Sequence, residues 1–132
     1  MKEYSLAYFL TRIAVGVSMF GHGLVRLPKL EGFKNHIVQS FEKSMIPEVL
    51  VTPFAYTLPI LEFVVGVLLI IGLFTKQALV LGCALMITLV FGSTMIENWG
   101  IIDSQLIHAL IFTGLLVTLK YNYLAVDAKM KK

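Results

Sequence analysis

Glu62 stands in "FAYTLPILEFVVGVLLIIGLFTK", near the middle of an apolar run. A carboxylate at that depth in lipid costs roughly 2.5–3.5 kcal/mol on insertion scales, so it must be neutralised by a proton or a partner. Arg12, in "LTRIAVGVSMFGHGLVR", is the natural candidate. With the two runs antiparallel, the axial offset is about 6 Å at 1.5 Å per residue, within an arginine's reach. An Arg12–Glu62 ion pair would fix helix register. The competing reading makes Glu62 a proton-linked or ligand-binding carboxylate, and a third leaves Arg12 snorkelling to the headgroups alone.

A later run, "DSQLIHALIFTG", adds three more groups. Asp103 falls in a first helical turn, where a carboxylate can cap free amides. Gln105 and His108 are three apart and share a face. His22 and Arg26, four apart, lie near the end of the first run. By depth the groups form two tiers: Arg12, Glu62, Thr88 and His108 centrally, and His22, Arg26, Asp103 and Gln105 nearer the outside. Gly16, Gly23 and Gly66 allow close helix approach. Together these residues can line one polar cleft opening outward.

What such a cleft could hold follows from its donors. Haem ligated by His22 and His108 is disfavoured, because their depths differ by about 8 Å from the 1.5 Å rise and no CxxCH is present. Zinc lacks a third ligand and an HxxxH spacing, so no metal is expected. A quinone or similar amphipathic molecule needs a carboxylate or histidine at each carbonyl, an aromatic surface and access from lipid. His22, Glu62 and His108 meet that need with Phe20, Tyr56 and Trp99. A pore would require several subunits to enclose it. No residue is assignable as catalytic, and the cofactor is left open.

These groups must be carried by membrane helices. The chain has 132 residues, 58% hydrophobic and only 14% charged, against about 25% charged in soluble domains. From Gln77 to Ile96 the only ionisable side chain is Cys83, and such a segment spans about 30 Å as a helix. The expected spans are about 5–26, 54–74, 77–96 and 101–120. Their short links make antiparallel neighbours and a single domain over 1–132. A soluble bundle this small could not hide four such helices, and continuous apolar runs exclude a β-barrel.

Between the first two spans, Phe33, Ile37, Phe41 and Met45 recur every four residues among polar ones. That pattern predicts an amphipathic interfacial helix over about 31–46, as a surface cover or a lid. Arg12 inside the first run, with no clear small-x-small cleavage site before the second basic cluster, argues for a retained span rather than a signal peptide. The lone Cys83 rules out an internal disulfide or redox dithiol. Lys2, Lys76, Lys120, Lys129, Lys131 and Lys132 share the side of the termini, predicting that both termini are cytoplasmic. Anionic lipid then accounts for the net charge of +3, and no nucleic-acid motif appears.

The ordered combination of "LTRIAVGVSMFGHGLVRLPKL" with "PILEFVVGVLLIIGLFTKQA" resembles the DoxX family. These are small bacterial four-helix membrane proteins related to the DoxD subunit of thiosulfate:quinone oxidoreductase. The resemblance covers about residues 6–120 and implies an all-α, four-helix antiparallel bundle in the cytoplasmic membrane. It also implies a link to quinone, sulfur or oxidative-stress chemistry, with redox proteins or further copies as partners. Family members often carry lysine where Arg26 stands. A sulfur oxyanion beside His22 and Arg26 is a further implication, although the chain has neither a partner domain nor a thiol pair. Three classes follow: a redox-associated subunit binding quinone, a transporter or channel component, and a structural or assembly factor. The residues alone favour none of them; the resemblance favours the first.

Overall fold

The computed structural model describes residues 2–130, so Lys131 and Lys132 of the basic terminal cluster lie outside the described residues. The chain folds into α1 (Lys2–Arg26), α2 (Leu30–Ser40), α3 (Glu48–Ile71), α4 (Thr75–Met95), α5 (Ile102–Val117) and α6 (Val126–Met130). Four helical stretches are long and apolar enough to cross a membrane: Lys2–Ser40, Glu48–Ile71, Thr75–Met95 and Trp99–Val117. The first of them includes α2. At 25 residues, α1 alone reaches about 37 Å and crosses the hydrocarbon layer without it.

Two proline positions shaped these elements differently from expectation. The second long helix was expected from residue 54, just after Pro53, but it begins at Glu48 behind an extended Pro47 and runs through Pro53. A proline there deprives only the carbonyl four residues back of its partner, and that residue, Val49, is exposed near the helix end. At Pro28 the chain tightens into a 3₁₀ turn (Leu27–Lys29) before α2 resumes. The expected segment to residue 46 is helical only to Ser40, with turns and bends following. No residue of α2 is fully buried.

Glycine sets the register of α1 on α3. A Cβ on Gly23 would lie 2.6 Å from the Phe63 amide nitrogen and the Pro59 carbonyl oxygen, and one on Gly66 would strike the Phe20 backbone. Gly16 is less tightly placed, with Leu69 and Ile70 at 3.1 Å from its Cβ position. Helix backbones approach this far only where side chains are missing. Since Gly16 already meets Ile70, the first three turns of α1 project past the end of α3. The C-terminal segment covers them: Tyr4 stacks on Tyr121 at 5.3 Å between centroids, and the Tyr8 hydroxyl donates to the Leu115 carbonyl at 2.8 Å.

The turn from α3 to α4 is held from the same segment. Gly72 takes the left-handed conformation that closes α3. Phe74 is also left-handed, with φ 49°. Both carboxylate oxygens of Asp127 accept amides there, from Phe74 and Thr75, each at 2.7 Å. That arrangement caps the start of α4 with a carboxylate from α6. On the far side of the bundle, α5 docks on α4 through fully buried Phe112, whose ring lies against Gly82.

Candidate functional site

The α2 end of the bundle collects most of the predicted polar residues. Glu62 is buried, and its Oε1 accepts from Arg26 Nη1 at 3.0 Å. Arg26 is about a third exposed, and its guanidinium also lies 4.6 Å from the Phe33 ring centroid. Phe33 belongs to α2, so the cation bridges α3 to α2 through an ion pair on one side and a ring face on the other.

This pair corrects the expected Arg12–Glu62 ion pair. Arg12 is 1% exposed and bonds elsewhere: Nε to the Leu69 carbonyl at 2.8 Å, Nη1 to Asn122 Oδ1 at 2.7 Å and Nη2 to the Leu124 carbonyl at 2.9 Å. The first reason is register: with Gly23 against Phe63 and Gly16 against Ile70, Arg12 is level with the end of α3, about 18 Å from Glu62 at 1.5 Å per residue, and side-chain direction adds to the separation. A helical side chain leans toward the N-terminus of its own helix. In antiparallel α1 and α3, Arg12 and Glu62 therefore lean apart, while Arg26 and Glu62 lean together.

The same rule corrects the two depth tiers. His22 and His108 were expected about 8 Å apart in depth from the helical rise, yet their ring centroids lie 6.3 Å apart, edge to face. Helices α1 and α5 are also antiparallel, so each ring leans toward the other. Each Nδ1 bonds the carbonyl one turn back, His22 to Ser18 at 2.6 Å and His108 to Ser104 at 2.8 Å. A carbonyl only accepts, so Nδ1 carries the proton in both rings. In its neutral form His108 then accepts the Ser18 hydroxyl at Nε2, at 2.9 Å. His22 is exposed, and its Nε2 has no partner among the described residues. Glu62 interacts electrostatically with Arg26, His22 and His108.

Other expected members sit apart from this cluster. Gln105 accepts from Ser93 at 3.1 Å and links α5 to α4. Thr88 is exposed, its hydroxyl returned to the Ala84 carbonyl. Asp103 is exposed, and α5 has no side-chain cap. Ser18 was missed, although it stands one turn before His22, where a hydroxyl shares the histidine's face. Outside the spans, Glu31 on α2 accepts from Tyr56 at 2.6 Å. That hydrogen bond, with help from Lys34, holds its carboxyl below the usual range. Among the described residues no three His, Cys, Asp or Glu side chains form a metal-holding group.

One family model, DoxX, matches residues 7–95, roughly two thirds of the chain. The chain belongs to the DoxX family. No curated protein and no solved structure matches it. The matched region holds Arg12, Ser18, His22, Arg26 and Glu62, all on α1 and α3; His108 lies beyond it.

Open surface lies beside the cluster. On α5, Leu106, Ile107 and Leu110 are all exposed, and only Phe112 and Leu115 are buried. The seam between α1 and α5 thus faces the surroundings of the bundle, which for these helices is lipid.

Proposed function

We propose that this DoxX protein is a redox-associated membrane subunit of the bacterial cytoplasmic membrane. It holds the head group of a quinone, or of a similar small amphipathic molecule, at the seam of α1 and α5. The observation that carries the reading is His22: an exposed ring on an apolar surface, with Nδ1 committed to a carbonyl and Nε2 free. A neutral Nε2 accepts the hydroxyl of a quinol; a protonated one donates to a quinone carbonyl. His108, its Nε2 engaged by Ser18, and the Arg26–Glu62 pair lie behind it as groups that can exchange or balance a proton. Electrons pass to a partner protein in this reading, and this chain supplies binding and orientation.

The test is binding of decylubiquinone to the protein in nanodiscs. Wild type binds saturably, and His22→Leu weakens binding about tenfold, the worth of a hydrogen bond of roughly 1–2 kcal/mol in lipid. Equal affinity in both proteins, with the fold intact, refutes the assignment. The closed Arg26–Glu62 pair favours a second reading, in which the polar groups lock helices for assembly. On that reading Glu62→Gln loses fold or partner recovery without changing bound small molecules. A transport role predicts instead a liposome flux that depends on Glu62 or His108.

A further inference from the structure

The opposite end of the bundle, where the termini lie, carries a second feature unconnected with the His22 cluster. An open groove of about 820 Å³ runs between the start of α4 and the C-terminal segment, a size within the roughly 300–1,000 Å³ of ligand clefts. Its lining includes Lys76 on α4, Lys120 on the 3₁₀ turn after α5, and Lys129 on α6. Three separate elements thus bring three cations to one concavity. Asp127 also lines it, but both its oxygens accept the first amides of α4. Its charge is matched to that helix end. Among the described residues Lys76 and Lys129 have no carboxylate partner, and Lys120 stands over the Tyr121 ring at 5.1 Å. Among the described residues the groove thus carries three lysines to one aspartate.

The rim points to the source of an anion for these lysines. Phe74 and Tyr123 line the same groove and are 52% and 57% exposed. They stand where α3 and α5 end and α4 begins, at the level where the bilayer gives way to water. Aromatic side chains at that level sit among glycerol and headgroup carbons. We infer that this groove binds the headgroup of an anionic phospholipid, its phosphate on Lys76, Lys120 and Lys129 and its glycerol against Phe74 and Tyr123. A lysine beside an anionic lipid surface contributes roughly a fivefold factor in binding. A lipid seated here would tie α4, the 3₁₀ turn and α6 together at the point that Arg12 and Asp127 already brace.

Native mass spectrometry of the detergent-purified protein, with thermal unfolding in parallel, tests this. The probes are phosphatidylglycerol, phosphatidylcholine with the same acyl chains, and inorganic phosphate. Phosphatidylglycerol is retained and raises the unfolding midpoint, and phosphatidylcholine and phosphate do neither. Lys76→Gln/Lys129→Gln unfolds like wild type without lipid, because both side chains are exposed, and binds phosphatidylglycerol about 25-fold more weakly, fivefold per lysine. Lys76→Arg/Lys129→Arg retains binding. If the glutamine pair does not fold, Lys120→Gln is read the same way, with about a fivefold loss expected. Equal retention of the two lipids, an equal effect of free phosphate, or undiminished binding by the folded glutamine variants overturns the inference.

Discussion

Replacing Gly66 by alanine should destabilise this protein, against the direction that helix propensity alone dictates. In a helix interior alanine is favoured over glycine by about 1 kcal/mol. At Gly66, however, the new Cβ would meet the Phe20 backbone, with its Cα at 2.5 Å. At Gly23 it would meet the Phe63 amide and the Pro59 carbonyl, both at 2.6 Å. Ordinary contact begins near 3.4 Å, so α1 must retreat from α3 by about 1 Å. The obstacle is backbone, which cannot swing aside as a side chain does. Overpacking of this kind costs about 1–3 kcal/mol, and the retreat also stretches the 3.0 Å Arg26–Glu62 contact. Gly66→Ala and Gly23→Ala should each be less stable than Gly21→Ala, which shares the propensity gain, by roughly 1–3 kcal/mol. Gly21, on the same helix, has nothing within 4 Å of its Cβ position, so Gly21→Ala should be neutral or gain up to about 1 kcal/mol. Reversible unfolding in mixed micelles measures all three. A Gly66→Ala protein as stable as the Gly21→Ala protein would refute the glycine-set register of α1 on α3.

Other perturbations separate the two ends of the bundle. Arg26→Met strands the buried Glu62 and should cost about 3–5 kcal/mol. Glu62→Gln should cost less, because partly exposed Arg26 can reach water by snorkelling; unfolding midpoints of the pair decide it. Asn122→Ala leaves an Arg12 N–H without its acceptor and should cost roughly 1.5–3 kcal/mol, read by faster amide exchange in the C-terminal segment. Acidification should loosen α2 from α3. Glu31 is held below the usual carboxylate range by Tyr56 and Lys34, so its contribution is complete above about pH 4.3 and is lost as pH falls through its lowered value. Amide exchange in α2 should rise on acidification in wild type, and Tyr56→Phe should blunt that change.

Four spans, the glycine contacts and the family were legible because they depend on composition and on backbone spacing. Partner choice was less so. Counting from the span ends put Arg12 within about 6 Å of Glu62 along the axis, but the glycine contacts set a register in which Arg12 is level with the end of α3 and Arg26 lies beside Glu62. Side-chain direction then brings Arg26 down to Glu62 and His22 toward His108. Register depends on which glycine meets which backbone, and composition does not reveal that. The C-terminal segment was illegible for a different reason. Asn122 and Asp127 sit beyond the last apolar run, and nothing local marks them as partners of Arg12 or of the start of α4.

The two arginines of α1 show why an intramembrane charge alone does not locate a function. Arg12, Gly16, Met19, Gly23 and Arg26 recur at alternating spacings of four and three, one stripe of the helix facing α3. The arginines bracket the glycines, about 21 Å apart along the axis. Both are costly in lipid and both carry polar partners. Arg12 is sealed: it is 1% exposed, and each of its three nitrogens bonds an oxygen of the protein, two backbone carbonyls and one amide oxygen. Arg26 is about a third exposed and stands one turn from His22, whose Nε2 faces outward without a partner. Equal sequence signals thus separate by what is left over after the fold has satisfied itself. Around Arg12 itself the protein supplies every partner, which marks a brace for the C-terminal segment. Beside Arg26 the Nε2 of exposed His22 has no partner among the described residues, and that difference is why the proposed head group is assigned to this end.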